Sequence, residues 1–273
     1  FMMLRCLACQ GSGLLHHSLD FLCPLCDGAV GWPEVLPSVS EMNISGDAGK
    51  AIRSGVSFRE IRAIHDENAI RVYQAYNVQI AKSAFKANSF QGPLEEGIWS
   101  ATRMTWIKPS AVWMAYRCGW TVMKDKNQAA VLALDLSMPR FLDLMKTAML
   151  SHGSEVGATK ENPVVVQWDP ERLMWTDAAT LREKDAYTCN VQQMRSIQIG
   201  LRGKAVEMLL DPSFVLRITD VTSDFQRAHE ALSASPPDNA AAVAALWPER
   251  QEERVLVPLE LRKLLHMDSP CVF

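Results

Sequence analysis

The chain has 273 residues, 48% hydrophobic and 22% charged, with a formal net charge of -3. That balance suits a folded globular protein and excludes both disorder over most of the length and a surface that is basic throughout. At ~100–200 residues per domain, the length suits one large core with an appendage, or two small domains.

No stretch approaches the ~18 uninterrupted apolar residues of a membrane helix, so no membrane partner is expected. The first residue is Phe1 rather than Met, which reads as a piece of a longer protein, with any organelle-targeting signal upstream.

Four of the seven cysteines fall in the first 26 residues, as Cys6-x2-Cys9 and, thirteen residues later, Cys23-x2-Cys26. Each pair can form a tight knuckle that offers two thiolates, and two knuckles complete the tetrahedron of a structural zinc. Gly11, Gly13 and Gly28 let the chain turn so that backbone N–H groups face the sulfurs. A redox pair and unmetallated thiols are the competing readings, and His16 or His17 could replace a cysteine as ligand. The doubled knuckle favours zinc. Paired CxxC thiols beside three scattered cysteines, Cys118, Cys189 and Cys271, suit a reducing cytoplasm or nucleus.

The strings CLACQGSG and CPLCDG resemble the C-x-x-C-x-G-x-G repeat of the DnaJ-type cysteine-rich zinc domain. The likeness covers about the first 32 residues, with Val30 where the second repeat has its last glycine and two repeats where that domain has four. It implies a single zinc that supplies most of the folding energy of a small module over 1–32, a stabiliser or a docking knob for a protein partner.

Residues 33–56 hold Pro33, Pro37 and several Ser and Gly, and read as a linker to a domain over 57–273. Strands are expected over Glu60–Ile64, Ala69–Tyr76, Arg103–Lys108, Ala130–Leu136, Val164–Trp168, Ser196–Leu201 and Phe214–Val221, each rich in branched or aromatic residues. Asn77 caps a helix VQIAKSAFKA; Ser110 caps AVWMAYRC, with Gly119 as its stop; Ser137 precedes a helix MPRFLDLMKTAML. Ser223 with Gln226 forms a capping box for DFQRAHEAL, and Asn239–Leu246 is a further helix after Pro236-Pro237. Strands outnumber helices without a βαβ repeat. The fold class is therefore α+β, a mixed and mostly antiparallel sheet with flanking helices.

Phosphate-loop, Rossmann, zinc-protease and hydrolase motifs are absent. Basic and aromatic residues gather instead in a few blocks. In RMTWIKPSAVWMAYRCGW, a period of two sets Met104, Trp106 and Lys108 on one strand face. Lys108 and Ser110 then sit at a helix start, where free N–H groups, an ammonium and a hydroxyl favour a phosphate; the structural alternative is a Ser110 that only caps. In IRVYQAY, Val72, Gln74 and Tyr76 share a face opposite Tyr73 and Ala75. In RSIQIGL, Ser196 and Gln198 share a face opposite Arg195, Ile197 and Ile199.

REIRAIHDENAIRVYQAY, RMTWIKPSAVWMAYRCGW, VQWDPER and RSIQIGL, in that order, resemble the hallmark stretches of the family catalogued as domain of unknown function 4291, from about Arg59 to the end. Cys118 stands where that family more often has Ser. Separately, VYQAYNVQIAKSAF resembles the first nicotinamide-binding segment of ADP-ribosyltransferases, which split NAD at its glycosidic bond. The late acidic residue of that chemistry would fall on Asp220 in ITDVT, and the usual segment start is replaced by Gln74 and Tyr76.

The expected function is an intracellular nucleotide-handling enzyme, ADP-ribosyltransferase-like, with NAD or another nucleotide as ligand. Arg62, Lys108, Arg117 and Arg195 would neutralise phosphates, with Ser110 at the helix start; Tyr73, Tyr76 and Trp106 would stack a ring. Gln74, Lys108, Gln198 and Asp220 are the catalytic candidates. The alternatives are an RNA- or single-strand-binding module using the same residues in an open groove, and a plain interaction domain.

Overall fold

The computed structural model describes residues 59–122, 126–151, 161–170 and 195–267. The chain divides after Ser57, and every described residue belongs to the second unit. The zinc module with Cys6, Cys9, Cys23 and Cys26, and the linker, lie outside the described residues.

In chain order the elements are β1 (Arg62–Ala63), β2 (Ala69–Tyr76), α1 (Val78–Ala87), α2 (Gln91–Glu95), β3 (Thr105–Ile107) and α3 (Ala111–Cys118). Then come β4 (Ala130–Ser137), α4 (Met138–Met145), β5 (Ala148–Leu150), β6 (Val164–Pro170) and β7 (Arg195–Leu201). The described chain closes with α5 (Lys204–Glu207), β8 (Val215–Asp220), α6 (Thr222–Ser233), α7 (Asn239–Leu246), β9 (Glu253–Arg254) and α8 (Leu259–Leu264).

Side-chain caps set the best-defined helix ends. Asn77 accepts from the Ile80 amide at 2.9 Å and starts α1, which buries Ile80, Ala81 and Ala84 on one stripe. Ser110 accepts from the Trp113 amide at 3.2 Å and starts α3; Gly119 ends it at φ 57°, a left-handed conformation that glycine adopts without a Cβ clash.

β2, β4 and β8 form one antiparallel sheet in the order β2-β4-β8; β3, β7, β6 and β5 form a second, in which only β5 and β6 run parallel; β1 and β9 make a two-stranded ribbon. This is the mixed, mostly antiparallel α+β architecture expected from the sequence. Tyr73 on β2 and Lys108, just past β3, exchange both backbone bonds, at 2.7 and 3.1 Å, and so stitch the two sheets edge to edge.

Because side chains alternate along a strand, each face of this surface carries its own core. Ile70, Val72, Tyr76, Leu132, Leu134, Leu136, Ile197 and Ile199 pack on one side with Phe90, Phe141 and Phe214. Tyr73, Val131 and Ala133 pack on the other beneath α3, α6 and α7, against Met114, Phe225, Ala242 and Leu246. At about 1.5–3 kcal/mol per large side chain fully buried, both cores contribute strongly to stability.

Several sequence expectations are corrected. The strand foreseen over Glu60–Ile64 contracts to Arg62–Ala63, since only those residues pair with Glu253–Arg254. The helix after Ser137 stops at Met145, where the Thr147 hydroxyl takes the Leu144 carbonyl at 2.7 Å, and Ala148–Leu150 leaves as strand β5 beside β6. Ser137 makes no side-chain cap; its amide instead donates to the Phe214 carbonyl. The Ser223–Gln226 capping box does not form either. Asp220 accepts from the Thr222 amide and hydroxyl at the start of α6, and Gln226 donates to the Thr121 hydroxyl. Among the described residues no helix is long and apolar enough to cross a membrane.

Candidate functional site

Strand registers place four polar side chains in one row across the stitched sheets. Tyr73 and Lys108 are directly opposite and therefore on the same face. Ile107 pairs with Ile199, so one step further the register carries Lys108 opposite Gln198, and Gln198 in turn pairs with Gln167 on β6. Trp106, paired with Gly200, stands one row along on the same face; its ring lies so close over Gly200 that a Cβ there would come within 3.1 Å of it.

Lys108 is the unusual member. It is 3% exposed, and among the described residues its ammonium has one hydrogen bond, to the Trp106 carbonyl at 3.5 Å. Burial lowers the amine's pKa to about 8; Arg117 pushes the same way, while Asp169 acts against it from a distance too great for an ion pair. The Asp169 carboxylate is held instead by Gln198 at 2.6 Å and Gln167 at 2.8 Å. These two carboxamides spend their N–H groups on Asp169 and keep their oxygens as acceptors. Trp106, Gln167, Asp169 and Gln198 are half-buried, so they form a partly open rim around a buried ammonium.

Of the residues singled out in the sequence, the structure brings Tyr73, Trp106, Lys108 and Gln198 onto this face, with Arg117 close enough to act on Lys108. Four others occupy the opposite face. Tyr76 packs against Phe90 at 5.4 Å between ring centres, and Gln74 donates to the Ala75 carbonyl while its Oε1 is buried with no hydrogen-bond partner. Arg195 shares the Ile197 and Ile199 side of β7, and Asp220 pairs with Leu132, whose side chain belongs to that same core. Arg62 lies on the β1–β9 ribbon, paired with Glu60 at 3.5 Å. The positively charged, ring-lined hollow expected from the sequence thus contracts to the Lys108 row, because alternation along β2, β7 and β8 turns Gln74, Tyr76, Arg195 and Asp220 away.

The helix start expected to take a phosphate at Ser110 already holds an anion from the chain itself. Glu252 accepts from the Ala111 amide at 2.6 Å and from the Trp247 indole at 3.3 Å. Desolvation pushes its carboxyl up to about 7, against the bonds from Ala111, Trp247 and Ser110 that favour the charged form. Ser110 is therefore a cap, and the first amide of α3 is spent.

A second charged group, which sequence reasoning did not single out, lies on the same face. Arg71 grips Asp135 through Nε at 2.7 Å and Nη2 at 3.0 Å, and Arg217 Nε donates to the other side of the carboxylate at 2.8 Å. Burial works against the charged form of Asp135, but the bonds and charges of the two guanidiniums together hold its pKa below the usual carboxylate range. The sequence signal was available: each is a charge inside an apolar strand, and Arg71 lies two residues before Tyr73. Beside them opens a cleft of about 140 Å³ whose walls include Arg71, Tyr73, Arg217, Asp224 and Arg250. Among the described residues no group of three or more His, Cys, Asp or Glu side chains could hold a metal ion.

The model of the family described as Domain of unknown function (DUF4291) matches residues 60–252, more than half of the chain, and the chain belongs to that family. The match contains the Lys108 row, the Arg71–Asp135–Arg217 group and Glu252. No curated protein matches the sequence.

Proposed function

We propose that this DUF4291 domain binds a nucleotide, NAD or another phosphate-bearing one, at the Lys108 row, with Trp106, Gln198 and Gln167. The observation that carries the reading is the buried ammonium of Lys108, which has no ion-pair partner among the described residues. An isolated buried charge costs several kcal/mol, a cost that an arriving anion relieves. A phosphate would take the ammonium, the half-buried Trp106 ring would stack a base, and the carboxamide oxygens of Gln198 and Gln167 would accept from a ribose hydroxyl or an exocyclic amine. ADP-ribosyl transfer through Asp220 is not part of the proposal, since Asp220 accepts from Thr222 at the start of α6 and belongs to the other face.

A single nucleotide suits the face better than a polynucleotide. The next cations along it, Arg71 and Arg217, are interleaved with the Asp135 carboxylate, so the described residues of the face do not offer a phosphate backbone an unbroken run of positive charge. Titration of the full chain with AMP, ADP and NAD, followed by thermal shift and calorimetry, should give saturable binding that Lys108→Met abolishes. Silence of the whole panel, or unchanged affinity in the variant, overturns the reading; a steep loss of oligonucleotide binding with salt would favour the single-strand module instead.

For the N-terminal segment, the proposal is a single structural zinc on Cys6, Cys9, Cys23 and Cys26, supported by their spacing. Metal analysis of the purified chain should find it, and Cys6→Ser with Cys9→Ser should remove it.

A further inference from the structure

The cleft beside Asp135 differs in chemistry from the Lys108 row. Arg71, Arg217 and the exposed Arg250 line it, and Asp224 and Glu249 supply opposite charge. With Asp135 included, three guanidiniums meet three carboxylates, so the site carries both charges in equal number.

Its charged groups are held in place but not all saturated. Asp135 uses only Nε of Arg217, leaving both terminal nitrogens of that guanidinium for another partner. Arg250 is anchored by donating to the His65 carbonyl. Asp224 gives one oxygen to Arg227 at 2.5 Å and keeps the other. Glu249 forms no ion pair at all among the described residues. The Thr219 hydroxyl adds a neutral donor and acceptor to the wall.

We propose that this cleft binds a small zwitterion, a free α-amino acid with a short side chain. Its carboxylate would be taken by the Arg217 terminal nitrogens and Arg250, and its ammonium by Asp224 and Glu249. Size supports the assignment: a cavity of ~150 Å³ admits a benzene-sized molecule, and this one measures about 140 Å³, enough for an amino-acid backbone and a small side chain. Charge selects it as well. A phosphate would meet Asp224 and Glu249 unfavourably and an amine would meet the guanidiniums, whereas a molecule carrying both charges has a partner for each. The site is separate from the Lys108 row and does not rest on the nucleotide reading.

The test is calorimetric titration of the full chain with each of the twenty proteinogenic amino acids. At least one small member should bind saturably. Acetylating the amine of the best binder and, separately, amidating its carboxylate should each weaken binding by about tenfold or more, the loss expected when a charge-assisted pair is removed. Glu249→Gln, at an exposed position without an ion pair among the described residues, should weaken it by about tenfold too. The proposal is overturned if none of the twenty binds, if neither blocked form loses affinity, or if Glu249→Gln binds like the parent. AMP, ADP and NAD are titrated separately on the unmutated chain, so either reading can fail without the other.

Discussion

Asp135 and Lys108 sit on the same face of the sheet, both largely out of water, and the chain treats them in opposite ways. Asp135 receives three hydrogen bonds from two guanidiniums, so its charge is matched and its geometry fixed. Among the described residues Lys108 receives no counter-charge within ion-pair distance, and the carboxylate that acts on it, Asp169, is diverted to Gln167 and Gln198. The difference separates a charge that builds the site from a charge that awaits a ligand. A matched buried ion is destabilising to break, whereas an unmatched one is destabilising to keep.

Breaking the matched group should have the largest effect. Asp135→Asn keeps the shape but leaves Arg71, only 17% exposed, without its partner carboxylate, and should lower stability by about 2–4 kcal/mol in urea unfolding. Its pKa is depressed in the folded chain, so its contribution is present above the ordinary carboxylate range and fades as pH falls through the folded value. The Asn variant should therefore lose most of its deficit in acid. A deficit that stays constant from pH 7 to pH 3 would mean the trio acts by packing rather than by charge.

This pair also shows what could be read from residues alone. The alternation in RMTWIKP and RSIQIGL correctly put Trp106 with Lys108 and Gln198 with Ser196. β2 and α1 had the bounds seen in the structure, Ala69–Tyr76 and Val78–Ala87. What alternation cannot supply is which strands meet. Gln74, Arg195 and Asp220 joined the expected site because they are polar, and pairing with Leu132 or placement beside Ile197 turns them elsewhere. Glu252 was missed for the complementary reason: it lies 141 residues from the α3 amide it bonds, and nothing local marks a glutamate that will travel so far. The strand β5 was hidden in an amphipathic pattern that continues past Met145, where a Thr hydroxyl ends the helix.

Removing the unmatched charge should act with the opposite sign. Lys108→Met keeps the length of the side chain and discards the buried ammonium, so it should raise stability at pH 7 by about 1–3 kcal/mol even as it removes nucleotide binding. The amine's pKa falls in the folded chain from 10.5 to about 8. Between those values the unfolded chain carries more protons, and the parent should therefore gain stability as pH rises from about 8 to about 10.5, while the variant should not. A destabilised Lys108→Met at pH 7 would remove the contrast with Asp135 and make Lys108 a structural residue.

Glu252 lies between these extremes, bonded by an amide and an indole yet without an ion pair among the described residues, and it should give the smallest effect. Desolvation raises its pKa in the folded chain to about 7 from 4.5, so the folded chain holds a proton that the unfolded chain has released. Stability should accordingly decline as pH rises from about 4.5 to about 7 and level off above. Glu252→Gln presents the same acceptor oxygen to the Ala111 amide without a charge to desolvate. The variant should abolish that slope and exceed the parent by about 1–2 kcal/mol at pH 8. If instead the carboxylate is favoured by the α3 amides more than burial opposes it, Glu252→Gln will be the less stable chain at pH 8, and Glu252 joins Asp135 among the matched charges.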